Sequence, residues 1–362
     1  MNLTRRNLTQ LAALSAAAPL LPAQETRTIG YCIVGLGRIS MQHFMPGCRI
    51  SKYSKVTALV SGHRDKADKM AAAYGVPARS IYSYQNYDAI ADNPDIHAVY
   101  IALPNSMHAE YTIRAAKAGK HVLCEKPMST SVADAQAMVD ACRRADRKLM
   151  IAYRCQFEPC NLRAIQLIRE GSLGKVQSIV SANGFNIRPG EWRYDGKLGG
   201  GGPLMDVGIY SLNACRYLTG EEPAEVHGYA SVIDQDGRFQ DVEETLSWTM
   251  RFPSGITTAC TTTYGAAMPG SYTVYGSKGT LHLEPAFGYE GQHLTARLAG
   301  GQSLDENANE KDPAHFSRES DHLAECIFQN KEPKTSGLEG LRDMQWIEKI
   351  YQSCGRKLPA IA

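Results

Sequence analysis

Gly35-Leu36-Gly37-Arg38-Ile39-Ser40 sets two glycines, and a serine where a third glycine is usual, between a buried apolar run and a helical pattern. Backbone amides at such a turn point toward a bound anion and the helix dipole favours negative charge there, so the spacing predicts a dinucleotide pyrophosphate site. At the end of the next apolar run an acidic residue would accept hydrogen bonds from the adenosine ribose of NAD. This chain has Ser61-Gly62-His63-Arg64-Asp65-Lys66 instead. Hydroxyl and basic groups suit a 2′-phosphate, which predicts NADP bound near Ser61, Gly62, Arg64 and Lys66. The plainer reading of Arg64 and Lys66 is two solvated charges at a helix start.

Two further stretches carry proton-transfer side chains. Leu103-Pro104-Asn105-Ser106-Met107-His108 is followed by Cys124-Glu125-Lys126-Pro127, and Gly199-Gly200-Gly201-Gly202-Pro203 leads through Asp206 to Tyr210. Alone, the Gly-rich run is an ordinary capped helix start. Combined with Glu125-Lys126-Pro127, it resembles the Gfo/Idh/MocA oxidoreductase family over nearly the whole chain from about Ile29. The resemblance implies that Lys126 lies beside the nicotinamide and the substrate, and that the second active-site motif ends at Tyr210, where many members carry histidine. Tyrosine there is similar to the branch that includes glucose–fructose and aldose–aldose oxidoreductases. The resemblance further implies that Leu103, Pro104, Asn105, His108 and Glu125 border the cofactor, His108 by fixing the turn. Tyr84, Arg154, Trp192, Arg193 and Tyr289 match residues lining the cofactor and sugar pocket, and no metal is implied. An aromatic plane and a guanidinium at Trp192-Arg193 suit a sugar or phosphate contact.

Oxidising a sugar hemiacetal at C1 needs a base for the hydroxyl proton and a hydride acceptor facing the same carbon. Tyr210 is expected to be that base, its pKa of about 10 in water lowered by the Lys126 ammonium. Asp206, four residues earlier on the same helix face, is expected to orient the substrate or Lys126. Run backwards on a second sugar, the same groups complete a ping-pong cycle with NADP retained. Two alternatives stay open: a simple NAD(P)-dependent aldose or polyol dehydrogenase with exchangeable cofactor, and a non-catalytic NADP-binding sensor.

These groups must be positioned by an α/β architecture. Thr28–Val34, Lys55–Val60, Ala98–Leu103, His121–Cys124 and Leu149–Tyr153 are short apolar runs alternating with helical patterns, which predicts a doubly wound Rossmann parallel sheet over residues 25–153. Residues 154–362 carry longer Thr/Tyr/Val-rich runs at Val176–Ala182, Ala224–Ile233, Glu244–Phe252, Ile256–Tyr264 and Ser271–Leu283. These predict an α+β domain with a large, mainly antiparallel, open-faced sheet. Residues 300–313 read as a polar loop before two final helices.

Ahead of the fold, Thr4-Arg5-Arg6-Asn7-Leu8-Thr9-Gln10 precedes a Leu/Ala-rich run ending at Pro22-Ala23-Gln24. Residues 1–24 therefore read as a twin-arginine signal peptide for periplasmic export. No exchangeable nicotinamide pool exists there, so an exported enzyme must hold its cofactor and recharge it in place. A formal net charge of +2 offers no basic stripe for nucleic acid and no polybasic membrane patch. No later stretch approaches the ~20 apolar residues of a membrane anchor. The ten cysteines lie mostly in apolar runs and are expected to be free thiols. The glucose–fructose branch carries a proline-rich arm after its export signal that covers the cofactor and embraces a neighbour. Here only about residues 24–27 stand in that place, so a homodimer through the open sheet is expected, with a tetramer as the alternative.

Overall fold

In the computed structural model, which describes residues 27–356, the apolar runs of the N-terminal third become strands buried on both faces. The predicted leader lies outside the described residues. β1 (Ile29–Val34) is buried along its length and leads through a π-helical turn (Ser40–Phe44) into α1 (Met45–Ile50). The series continues with β2 (Ser54–Val60), α2 (Arg64–Tyr74), β3 (Ile81–Tyr82), β4 (Ala98–Ile101) and α3 (His108–Lys117). It closes with β5 (His121–Glu125), α4 (Val132–Arg144) and β6 (Leu149–Ala152). The sheet is parallel throughout, in the order β3-β2-β1-β4-β5-β6. The order reverses between β1 and β4, and the crevice outside their carboxyl ends is where such sheets take a ligand. The two-residue β3 was not read from the sequence because it is too short to carry a period.

The second half contains α5 (Pro159–Arg169), β7 (Val176–Gly184), α6 (Gly196–Gly199), α7 (Ile209–Thr219), β8 (Glu225–Ser231) and β9 (Thr245–Arg251). After these come β10 (Thr257–Thr263), β11 (Met268–Gly276), β12 (Thr280–Glu284), β13 (His293–Arg297) and β14 (Ser303–Asn307). Their order is β14-β13-β12-β11-β7-β10-β9-β8, antiparallel except where β7 and β10 run together. Strict alternation on β9 buries Leu246, Trp248 and Met250 and exposes Ser247 and Thr249, so one face is covered and the other open.

Two expectations are corrected. Ser271–Leu283 is not one strand but the paired arms of β11 and β12, turned where the Gly276 amide donates to Gly279 O at 2.8 Å. Alternation persists through both arms, which hid the turn. Residues 300–313 are not all loop, because β14 pairs with β13 as a polar edge strand, a place where polar residues are tolerated on both faces.

The last two helices, α8 (Ala314–Gln329) and α9 (Gly337–Ser353), return to the first sheet and pack on α1 and α4. Among the described residues no helix is long and apolar enough to cross a membrane. All ten cysteines are free thiols, and Cys215 and Cys260 stay 3.7 Å apart, well beyond the bonded distance of about 2.05 Å.

Burial pushes His315 on α8 down to about 4, against about 6.5 in an unfolded chain. The unfolded state then binds the proton first, so this residue's contribution is full above about pH 6.5 and falls away toward pH 4. Urea unfolding of His315→Leu should therefore gain about 2 kcal/mol on the native protein between pH 7.5 and pH 5. An unchanged difference between those pH values contradicts the assignment.

Candidate active site

The phosphate turn is built by backbone constraint. Gly35 has φ +93°, and a Cβ there would meet Ala102 O at 2.5 Å, so glycine is required. Gly37 has open space where its Cβ would stand, leaving bare backbone toward the cleft. In place of the third glycine, buried Ser40 donates its hydroxyl to Gly35 O at 2.6 Å and closes the turn itself.

A single cavity of about 690 Å³ runs between the two sheets from this turn. Every predicted site residue lines it except Arg64. Gly35, Leu36, Gly37, Arg38, Ile39, Ser61, Gly62, Lys66 and Tyr84 form one end, and Leu103, Pro104, Asn105, His108, Glu125 and Lys126 the middle. Arg154, Trp192, Arg193, Asp206, Tyr210 and Tyr289 form the other end. Arg64, the first residue of α2, lies exposed and pairs with Asp68 at 2.9 Å. Arg38 and Lys66 have no ion-pair partner among the described residues and face the cavity. Bare glycine backbone at a helix start beside two unpaired cations fits a phosphorylated dinucleotide.

Hydrogen bonds fix the middle. The His108 ring lies between Pro127 O (2.8 Å) and Leu103 O (2.9 Å), tying two cavity loops together. Burial lowers its pKa to about 4, and the two carbonyls oppose that shift. Asn105 Nδ2 donates to Gly199 O at 2.8 Å, which joins the first unit to the Gly-rich loop. That loop is held from beneath by buried Glu243, which accepts from Gly202 N, Leu204 N and the Tyr351 hydroxyl at 3.3, 3.2 and 2.8 Å.

At the far end charges alternate in a chain. Lys126 Nζ donates to Asp206 O at 2.8 Å and Oδ1 at 3.3 Å, while Arg193 Nε lies 3.4 Å from Asp206 Oδ2 and Arg193 also pairs with Glu191 at 2.9 Å. The Tyr264 hydroxyl adds a bond to Asp206 Oδ2 at 2.9 Å. Burial alone would raise the Asp206 pKa, but Lys126, Arg193 and Tyr264 outweigh it and hold the carboxyl below its usual range.

Tyr210 departs from expectation. Burial pushes its phenol well above the ordinary value, and the cation that offsets this most is Arg154, stacked 5.6 Å from the ring centre. Lys126 stands 4.8 Å from the same centre, but its ammonium is engaged by Asp206. The phenol therefore keeps its proton in the protein itself, as an acid.

His43, Asn183, Phe185, Glu191 and Phe287 also line the cavity and were missed, as was Tyr264 behind it. Glu191 was findable, since it directly precedes Trp192-Arg193. His43 and Asn183 sit on elements whose patterns read as packing, and Phe185, Tyr264 and Phe287 lie in irregular segments that follow strands.

Residues 29–153 match the Gfo/Idh/MocA oxidoreductase family, NAD-binding Rossmann fold, and residues 161–282 match a C-terminal domain of that family. The chain belongs to this family of oxidoreductases. A solved aldose-aldose oxidoreductase from Caulobacter crescentus, complexed with glycerol, superposes with a TM-score of 0.88 at 44% identity, covering 92% of this chain and 100% of that one. The D-xylose 1-dehydrogenase (NADP(+)) of Haloarcula marismortui is 32% identical over 332 residues, 90% of this chain and 91% of its own. A second such enzyme, from Haloferax volcanii, is 30% identical over 326 residues, 89% and 96% of the two chains.

Tyr210→Phe should lower kcat by about 10²- to 10⁴-fold with little change in KM, since the lost hydroxyl moves a proton and does little for ground-state binding. Near-normal turnover in steady-state assays removes Tyr210 from the chemistry.

Proposed function

We propose that this protein is a periplasmic, NADP-dependent oxidoreductase that oxidises a neutral aldose at C1 to its lactone and returns the hydride to a second sugar without releasing the cofactor. The observation that carries this reading is the charge division of the cavity. Unpaired Arg38 and Lys66 stand at one end, suited to the 2′-phosphate and pyrophosphate of NADP. At the other end Lys126, Asp206, Arg193 and Glu191 neutralise one another in sequence. Arg154 spends its terminal nitrogens on Gly288 O and Phe287 O. Beyond these no further Lys or Arg among the described residues lines this end for a sugar phosphate or sugar acid, and Trp192 and Phe185 offer apolar faces to a pyranose ring.

NADP, when bound, supplies the hydride acceptor and, in its oxidised form, a positive charge on the nicotinamide. Tyr210, with the Arg154 guanidinium beside its ring to offset burial, would take the C1 hydroxyl proton in the oxidative direction and give it to the acceptor carbonyl in the reductive one. Lys126, fixed by Asp206, orients the sugar oxygen. The names of the two haloarchaeal relatives favour a second reading, a sugar dehydrogenase whose cofactor exchanges each turnover. The twin-arginine leader supports retention. The uncovered sheet face, where Tyr229, Val180 and Tyr275 stand exposed, is the proposed homodimer contact.

Protein purified with its nucleotide and passed through gel filtration tests the reading. A neutral aldose should generate the reduced-nicotinamide absorbance, its 6-phosphate should not, and a second sugar should abolish it. Lys66→Ala should weaken NADP binding by about tenfold or more while leaving NAD unaffected. Turnover that needs added free NADP favours the dehydrogenase, and equal reduction by the sugar phosphate contradicts the charge argument.

A further inference from the structure

β14 and α8 are joined by six residues, 308–313, that run from the edge of the second sheet to a helix packed on the first unit. This strap is tied along its length. The Ala308 amide donates to Gln292 O at 2.8 Å, Glu310 accepts from Arg318 Nη1 at 2.7 Å, and the Asp312 amide donates to Glu290 Oε1 at 3.2 Å. Its last acidic residue, Asp312, also bonds Nδ1 of His43 through its carboxylate.

His43 stands one turn beyond Ser40 on the helix that opens at the phosphate turn, and it lines the cavity. Its ring stacks on Tyr289, with centres 4.3 Å apart and planes within 10°. Tyr289 also lines the cavity and carries the Arg154 guanidinium 4.3 Å from its ring centre. Arg154, Tyr289, His43 and Asp312 therefore form one continuous series of contacts that joins the phosphate turn to the second half of the chain. The side chains of His43 and Asp312 are only 11% and 15% exposed, so their bond is less screened than a surface ion pair.

We infer that His43, Tyr289 and Asp312 form a clasp, built from the strap and the phosphate-turn helix, that retains the dinucleotide. This inference rests on the retained-cofactor reading above. A ligand lying from Lys66 to Lys126 occupies the cleft between the two sheets, and the His43–Asp312 bond and the His43–Tyr289 stack span that cleft. His43 belongs to one wall, and Tyr289 and Asp312 to the other. Their separation breaks a charge-assisted hydrogen bond and a ring stack together. The clasp acts on the rate of departure, the quantity through which affinity is mostly tuned.

The test measures NADP release from loaded protein, using a soluble NADP-dependent dehydrogenase and its substrate as the trap. Asp312→Ala removes the carboxylate. His43→Phe keeps the stack and removes the bond, and it serves if the first variant folds poorly. Both should release NADP about tenfold faster than the native protein or more. Arg163→Gln, which breaks the neighbouring Arg163–Glu306 pair away from the cavity, gives the effect of mere local loosening. Release from both clasp variants no faster than from Arg163→Gln overturns the clasp. Native protein that itself loses NADP within seconds contradicts the retained-cofactor reading instead, while the ratio of variant to native rates still reports on the clasp.

Discussion

One carboxylate holds the far end of the cavity together. Asp206 takes Lys126 from the loop after β5, Arg193 from the segment before the Gly-rich loop, and the Tyr264 hydroxyl from the end of β10. Three distant parts of the chain are thereby fixed to one residue in the turn that opens the Tyr210 helix. Burying this group costs desolvation, and two cations with a hydroxyl repay it. Removing the carboxylate would leave Lys126 and Arg193 with reduced compensation in a partly dry site, a disruption of about 3–5 kcal/mol for a buried pair. Lys126 is aimed beside Tyr210 because Asp206 holds it there.

The remainder of the fold supplies that arrangement with its surroundings. Strand-order reversal between β1 and β4 opens the crevice, and the phosphate turn borders it with unshielded backbone. Glu243 and Tyr351 grip the Gly-rich loop from the side away from the cavity. Tyr351 comes from the final helix, so the end of the chain steadies the approach to Asp206. The final helix α9 packs on both α4 and β8, which joins the two sheets by contacts additional to those of the cavity.

Much of this was legible in the sequence, for identifiable reasons. Strands buried on both faces must be apolar throughout, so β1, β2, β4, β5 and β6 announced themselves; β3, with two residues, could not. Strand periodicity passed unbroken through the β11–β12 turn and concealed it, while β14 was hidden by the polarity an edge strand is free to have. The phosphate turn was read despite Ser40 because position carried the signal, and the structure shows why serine serves there. A basic residue at a helix start has two uses, and at Arg64 an acidic residue four positions on, Asp68, takes the guanidinium outside the cavity. The Tyr210 proton could not be read at all. It depends on how much water the folded cavity removes, and on Asp206 rather than Tyr210 engaging the Lys126 ammonium.

The charge arrangement and the proposed clasp meet at the same cleft. Unpaired Arg38 and Lys66 at one end suit a phosphorylated dinucleotide, and paired Lys126 and Arg193 at the other underlie the proposal of a neutral sugar there. The account depends most on Asp206, and a stopped-flow comparison of Asp206→Asn with the native protein tests it directly, by following reduction of bound nicotinamide after mixing with aldose. The account predicts that the variant binds NADP as before and is reduced slower by about 10³-fold. Reduction at the native rate would contradict it.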